Sequence, residues 1–278
     1  MIGALISLPS PSSPVLYEAG PLTLRYHGLL IALGIIVGTW LTAHELERRG
    51  YGGILAPVAL FFVVPTGIAG ARAYHVVTEY DRYAERLSSV VKFWDGGLGI
   101  FGAVAGGFVG LLIFCWLRSV NVLSFADAAA PGLVLAQAIG RWGNYFNQEL
   151  FGRPSDLHWA IFIAPENRPV EYADATSFHP TFLYESVWDL LVCLVLLWVA
   201  RRFAVSLKDG DVFLLYVSLY SAGRFVVETF RVDEVLLVAG YIRVNVLVSA
   251  VLAIGFFLIL LLRHRRAVRS HSQDAHLT

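Results

Sequence analysis

Charge is what this chain has least of. Asp, Glu, Lys and Arg make up 15% of its 278 residues, against about 25% in an ordinary soluble domain. Hydrophobic residues make up 57% and the mean hydropathy is +0.64. The sequence therefore reads as an integral membrane protein, not as a soluble domain with a large core. Its 21 basic residues are matched by 21 acidic ones, so no basic excess is left for a nucleic-acid partner. Cysteine is nearly absent. Cys115 and Cys193 each sit inside an apolar run, LLIFCWL and LLVCLVLL. They read as small hydrophobes, which excludes a disulfide framework, and no metal site is expected. The opening MIGALISLPSPSSP has neither a basic n-region nor an A-x-A site, so no cleaved signal peptide is expected. There is no solenoid-type repeat, and no inverted pair of broken helices as in many transporters.

What the chain does have is long apolar runs. A membrane-crossing helix needs about 20 mostly apolar residues. Seven stretches qualify: 24–43, 54–77, 98–117, 122–139, 181–200, 212–230 and 244–262. Basic residues follow the first, third, fifth and seventh: Arg48 and Arg49; Arg118; Arg201, Arg202 and Lys208; Arg263, Arg265, Arg266 and Arg269. With seven spans these all fall on one side, which the positive-inside rule makes cytoplasmic. The N-terminus is then outside and the C-terminus cytoplasmic. Arg82, Arg86 and Lys92 lie opposite, among acidic neighbours. The expected fold is an all-α integral membrane protein of about seven transmembrane helices, one membrane domain over 1–278. A small outer, periplasmic head is inserted at 145–178, between the fourth and fifth spans. Gly102, Gly106 and Gly110 recur at four-residue spacing in the third stretch, which suits a tight helix pair.

The scarce polar residues are concentrated. The stretch GRWGNYFNQELFGR, from Gly140, follows an almost wholly apolar run. Arg141 and Asn144 are three apart and share a helical face; Asn147, Glu149, Gly152 and Arg153 extend the polar surface. In LYSAGRFVVETFR, Tyr220, Arg224, Glu228 and Arg231 fall on one helical stripe. A self-neutralising Arg224–Glu228 pair accounts for the charges but not for their presence, because such a pair stabilises a bundle poorly compared with apolar packing. In HPTFLYES, His179, Tyr184 and Glu185 stand at the start of the fifth span, facing a cavity or the interface. Arg72 and His75 form a smaller set; Arg72 either joins the site or snorkels to the interface. An intramembrane ionisable residue is a functional candidate by default. Arginines gathered there suit an anion, since guanidinium grips phosphate in a bidentate way. A phospholipid head group reached from the bilayer fits that position.

These pieces together resemble the prolipoprotein diacylglyceryl transferase family of bacteria. The resemblance covers RYHGLLIALGI, GARAYHV, WDGGLGIFGA, FADAAAP, GRWGNYFNQELFGR, HPTFLYE and GRFVVETFR, in order over nearly the whole chain. It implies a bacterial inner-membrane enzyme acting in lipoprotein biosynthesis. Such an enzyme moves the sn-1,2-diacylglyceryl group of phosphatidylglycerol to the lipobox cysteine of a prolipoprotein signal peptide. A thioether forms and glycerol 1-phosphate leaves, without metal or soluble cofactor. The resemblance sets Arg141, Asn144, Glu149, Gly152, Tyr220, Arg224 and Glu228 on family positions important for activity. The expected catalytic residues are Arg141, Arg224 and Glu228, with His27 added from its own chemistry. The expected substrate-binding residues are Arg141, Asn144, Asn147, Glu149, Gly152, Tyr220, His179 and Arg72. Three positions depart from the family pattern: His27 where tyrosine is usual, Phe101 where histidine or tyrosine is common, and Phe182 where glutamine is usual. His27 is either the base for the incoming thiol or a neutral, hydrogen-bonded helix histidine. The alternative function is a divergent paralogue that binds or moves anionic phospholipid without transfer.

Overall fold

The computed structural model describes residues 9–11, 13–20, 22–80, 83, 90, 99–233, 237–238 and 242–274. Arg82, Arg86, Lys92 and the first five residues of WDGGLGIFGA lie outside the described residues. Helices occupy every one of the seven apolar stretches. They are α1 (Tyr26–Arg48), α2 (Leu55–Val58, Ala59–Val63 and Val64–Thr78 in one run), α3 (Ile100–Arg118), α4 (Val122–Gly140), α5 (Trp142–Asn147), α6 (Thr181–Arg202), α7 (Asp211–Glu228) and α8 (Val244–Asp274). Among the described residues, four segments are long and apolar enough to cross a membrane: Tyr26–Arg48, Val122–Asn147, Thr181–Arg202 and Val244–Arg265. Phe101–Leu117 is apolar but shorter.

Among the described residues, three two-stranded antiparallel pairs accompany the helices: β1 (Val15–Ala19) with β2 (Leu22–Arg25), β3 (Ile161–Phe162) with β4 (Ser177–Phe178), and β5 (Leu237–Val238) with β6 (Ile242–Arg243). The β3–β4 pair belongs to the loop-rich segment between α5 and α6. Phe151, Ile161, Ile163, Phe178 and Phe182 gather there into a small core of their own.

The chain packs as two units, Met1–Thr42 with Asp127–Thr278, and Ala43–Ala126. In the second unit the glycine face of α3 lies directly on α2. A Cβ on Gly102 would strike the Gly70 carbonyl, and one on Gly106 the Thr66 carbonyl, so only glycine permits this approach. Pro65 interrupts the α2 ladder, since it donates no hydrogen bond, and the run loosens into a π turn over Ala59–Val63 just before it.

In the first unit, a core of Leu41, Ala130, Val134, Val192, Leu196 and Val212 joins α1, α4, α6 and α7. Gly38 and Gly132 let the α1 and α4 backbones touch. Asp127, in the first turns of α4, fixes where α7 begins. Its two carboxylate oxygens accept the amide hydrogens of Gly210 and Phe213, each at 2.9 Å. These are the orphan donors of a helix start, and Asp127 supplies their acceptors from another helix. Gly210 precedes α7 at φ +95°, a left-handed conformation that glycine adopts without strain. Asp127→Ala would leave two amides without that acceptor, a loss of about 2 kcal/mol or more. Thermal unfolding of the detergent-solubilised protein should show a lowered midpoint; an unchanged midpoint would mean that the cap contributes nothing.

Candidate functional site

Arg141 occupies the step between α4 and α5 in helical conformation, φ −58° and ψ −29°. Its amide donates to the Gln137 carbonyl at 3.0 Å, and Asn144 N donates to the Arg141 carbonyl at 3.1 Å. The helical path therefore runs through the step, with Arg141 and Asn144 one turn apart. α5 then ends in a Schellman pair: Glu149 N reaches the Asn144 carbonyl at 3.1 Å, and Gln148 N the Tyr145 carbonyl at 3.2 Å. Gln148 takes the left-handed position at φ +52°, where glycine is usual. Its side chain secures it there: Oε1 accepts from Ala164 N at 2.7 Å and Nε2 donates to the Pro11 carbonyl at 3.3 Å. Leu150 is left-handed too, at φ +57°, and its carbonyl accepts the Thr181 hydroxyl.

Glu149 is thus held between two left-handed residues, each costing about 1–3 kcal/mol. The result is a carboxylate folded back over the helix end. Its Oε1 accepts from Asn144 Nδ2 at 2.9 Å and Asn147 Nδ2 at 3.1 Å, and lies 3.8 Å from His27 Nδ1. The His27 imidazole fits because residue 143 is glycine; a Cβ there would strike the ring. Beside this group opens a cavity of about 430 Å³, lined in part by Asn147, Glu149, Asn167 and Asp233.

A second polar group is built by α6, α7 and the segment leading into α8. Glu185, in the second turn of α6, is 5% exposed and stands between two arginines. Its Oε2 lies 3.1 Å from Arg141 Nη1, and its Oε1 accepts from Arg224 Nη1. Arg224 Nη2 lies 2.7 Å from Glu228 Oε2. Glu228 is fully buried and also takes Arg243 at 3.2 Å, Arg231 at 3.9 Å and Asn245 Nδ2 at 3.1 Å. Arg141 Nη2 donates to the Tyr220 hydroxyl at 3.2 Å. Gly223 lets α7 lie against the Trp188 indole, which a Cβ would strike. Trp188 Nε1 donates to the Leu219 carbonyl at 2.9 Å. That packing fixes how α6 and α7 face each other, and so sets Arg224 opposite Glu185. Asp189, one turn further along α6, is buried, and its Oδ2 has no hydrogen-bond partner among the described residues.

Arg231 is not on the helical stripe that its spacing suggests. α7 ends at Glu228, and Arg231 pairs in an isolated antiparallel bridge with Gly152. Its guanidinium still turns back toward Glu228 and also pairs with Asp233, Nε to Oδ1 at 2.7 Å. Gly152 is a contact glycine: a Cβ there would sit 2.7 Å from His179 Cβ, and its amide donates to the His179 carbonyl at 2.9 Å.

His179 itself faces Tyr184, Nδ1 to hydroxyl at 3.0 Å, and Trp159 Nε1 donates to the same hydroxyl at 3.1 Å. An indole N–H only donates, so the tyrosine proton points to Nδ1 and the imidazole accepts it. Burial lowers the His179 pKa below its ordinary value, which favours that neutral form. Arg72 belongs to the other unit, where Nε donates to the Val90 carbonyl at 2.8 Å and the guanidinium lies 5.0 Å from the Tyr83 ring centre.

The structure thus brings together Arg141, Tyr220, Arg224 and Glu228 in one group, and His27, Asn144, Asn147 and Glu149 in another one turn along the same helical path. His179 and Gly152 pack beside them. Residues that the sequence reading did not place in the site are Glu185, Arg243, Asn245 and Asp233. Glu185 had a signal, a carboxylate four residues before Asp189 on one face of a largely apolar helix, but the arginines it meets come from other helices.

Chemically, the first group offers guanidinium forks to an anion, and the second offers a carboxylate–imidazole pair to a proton. The family model described as prolipoprotein diacylglyceryl transferase matches residues 14–262. A Frankia alni protein named phosphatidylglycerol–prolipoprotein diacylglyceryl transferase is 44% identical over 93% of this chain and 68% of its own length. Proteins of the same name from Paenarthrobacter aurescens and Synechococcus elongatus are 44% and 42% identical. They cover 95% and 87% of this chain, and 87% and 84% of their own lengths.

Asp233 gives this region a pH signature. Burial pushes its carboxyl up, but the hydrogen bond and charge of Arg231, with the charge of Arg243, outweigh it and hold it below the usual carboxylate range. A lowered carboxylate stabilises the fold fully above its unfolded value of about 3.9. That contribution is lost as pH falls through the lower folded value. Asp233→Asn should therefore melt earlier than the wild type at neutral pH, with the gap closing on acidification below about pH 4. A gap independent of pH would contradict the ion-pair assignment.

Proposed function

Since the chain belongs to the prolipoprotein diacylglyceryl transferase family, we propose that it transfers the sn-1,2-diacylglyceryl group of phosphatidylglycerol to the lipobox cysteine of prolipoproteins. The observation that carries this reading is the meeting of Arg141 and Arg224 at one buried carboxylate, which makes a two-guanidinium site in a greasy bundle. The cysteine sulfur attacks the glyceryl carbon that carries the phosphate. The carbon–oxygen bond breaks, its electron pair goes to the phosphate oxygen, and glycerol 1-phosphate leaves as the thioether forms. Arg141 and Arg224 hold the phosphate and stabilise the charge that grows on it, usually the largest catalytic contribution. Glu228 orients Arg224, and Tyr220 orients Arg141. The thiol must lose its proton to attack. His27 takes it, with Glu149 beside Nδ1 to stabilise the imidazolium. Asn144 and Asn147 hold Glu149 in place. His179 and Gly152 shape the wall, and Arg72 is a lipid-binding residue within its own unit. The residues named here supply all of this chemistry, and the reading invokes no metal or cofactor.

The same reading makes α1, α2, α3, α4, α6, α7 and α8 seven spans of a bacterial inner membrane. The basic ends at Arg48, Arg118, Arg201 and Arg263 are placed in the cytoplasm by the positive-inside rule. The N-terminus and the segment 145–178 are then outside, where lipidation of an exported signal peptide takes place.

Purified protein, phosphatidylglycerol and a lipobox peptide should give the diacylglyceryl adduct by mass spectrometry. Bound lipid without adduct would instead favour a lipid-binding protein. Arg141→Ala or Arg224→Ala should lower turnover about 100-fold or more, the cost of losing a preorganised charge donor. The lysine variants should stay folded yet remain slow, since lysine lacks the fork. Turnover retained in both alanine variants would end the phosphate assignment. His27→Phe should abolish transfer while lipid stays bound; unaffected transfer would remove His27 from the reaction.

A further inference from the structure

An anion already sits where the two guanidiniums meet. Glu185 bridges Arg141 and Arg224, one carboxylate oxygen to each, in the manner a phosphodiester would be gripped. The side chain is 5% exposed, so it has no hydration shell to retreat to, and a buried arginine pair without it would carry a large desolvation cost. Glu228 is differently placed. It is shared by Arg224, Arg231 and Arg243 with Asn245 completing its shell, and Asp233 answers Arg231 and Arg243. Among the described residues, the ion-paired network joins four arginines and three carboxylates, which leaves one positive charge. A phosphodiester carries one negative charge. A phosphomonoester carries about 1.5 to 2 at neutral pH.

We propose that Glu185 is a positioning residue and the internal counter-anion of the site. It holds the guanidiniums of Arg141 and Arg224 in register and caps the charge they offer at what the phosphodiester substrate carries. The phosphomonoester product is then over-charged for the site and is expelled. This rests on the phosphatidylglycerol reading above and adds the release step to it. Asp189 lies within electrostatic range of the same arginines but bridges neither.

The test is inhibition by glycerol 1-phosphate, measured on the full-length protein in detergent with phosphatidylglycerol and a lipobox peptide. Glu185→Gln keeps an acceptor oxygen and removes the charge. It should bind the product about tenfold tighter, the size of one charge-assisted hydrogen bond. Its kcat should fall through slow release, and KM for phosphatidylglycerol should fall rather than rise. Glu185→Asp keeps the charge on a shorter arm. It should keep wild-type product inhibition while kcat drops, and it carries the test if the glutamine variant does not fold. Asp189→Asn removes a nearby carboxylate that bridges no guanidinium, and product inhibition should stay at the wild-type level.

Unchanged inhibition in Glu185→Gln, tightened inhibition in Glu185→Asp, or an equal shift in Asp189→Asn would each overturn the proposal. If the wild type forms no adduct, the transfer reading fails by itself. Displacement of bound phosphatidylglycerol by glycerol 1-phosphate, followed by native mass spectrometry, then reads the Glu185 effect directly. A wild type that binds no phosphatidylglycerol would sink both.

Discussion

The polar network at the centre of the candidate site is arranged around the Glu185 carboxylate and the two guanidiniums that hold it. Moving a charge out of water costs several kcal/mol even after relaxation, and only close, well-aligned partners repay it. That requirement fixes geometry across the molecule. Arg141 comes from the α4–α5 step, Arg224 from α7, and Glu185 from α6. Through Glu228, the same network reaches Asn245 on α8 and Arg243 at the end of β6. A shift of α6 or α7 by one turn would leave a buried charge without its partner, at about 3–5 kcal/mol. Apolar packing alone would tolerate such a slip better, because the apolar residues of α6 are spread round the helix. The ion network therefore sets the register that the hydrophobic effect leaves open.

The backbone is bent to serve the same end. Small residues stand where a side chain or another backbone must come close: Gly143 under His27, Gly223 under Trp188, Gly152 against His179. At Gln148 and Leu150 the chain does the opposite and places ordinary residues in left-handed conformations. The Gln148 side chain spends both of its hydrogen-bonding ends on neighbouring segments, and the Leu150 carbonyl takes the Thr181 hydroxyl. Strain of this kind persists only where its surroundings over-determine it, and here it turns Glu149 toward Asn144, Asn147 and His27.

Much of this was legible in the sequence. Apolar runs located all seven helical stretches, since length and composition decide whether a segment can be a buried helix. Four-residue spacing placed Tyr220, Arg224 and Glu228 on one face, and glycine spacing in α3 anticipated its contact with α2. Other features escaped for physical reasons. Glu185 stood out at the start of the fifth span, but whether it faced a cavity or the interface stayed open, because its arginine partners come from α7 and the α4–α5 step. Arg243, Asn245 and Asp233 act through tertiary contacts that no local spacing encodes. Arg231 looked helical, but α7 stops three residues earlier and the side chain returns by way of a bridge to Gly152. The left-handed turn at Gln148 was unreadable because glutamine is not the residue such a turn selects.

The two polar groups stand at a separation suited to the proposed reaction. Arg141 and Asn144 are three residues apart on a continuous helical path, a rise of about 4.5 Å. Displacement at a saturated carbon needs the attacking sulfur and the leaving oxygen on opposite sides of that carbon. The sulfur approaches to about 3–3.5 Å before reaction, and the oxygen lies one bond beyond, so the two are roughly 5 Å apart. One helical turn therefore spans the distance from leaving group to nucleophile. The guanidinium side can hold the phosphate while the Glu149–His27 side meets the thiol; Arg141 is fixed by its ion pair with Glu185 and Glu149 by two asparagine amides. Separation also protects each half from the other. A carboxylate free to approach the phosphate would repel it, and Glu149 is prevented from doing so by the two asparagine amides that hold it back. The α4–α5 step thus carries Arg141 on one side and, on the other, Asn144, which holds Glu149 near the His27 imidazole of α1, so the two charged groups do not neutralise one another.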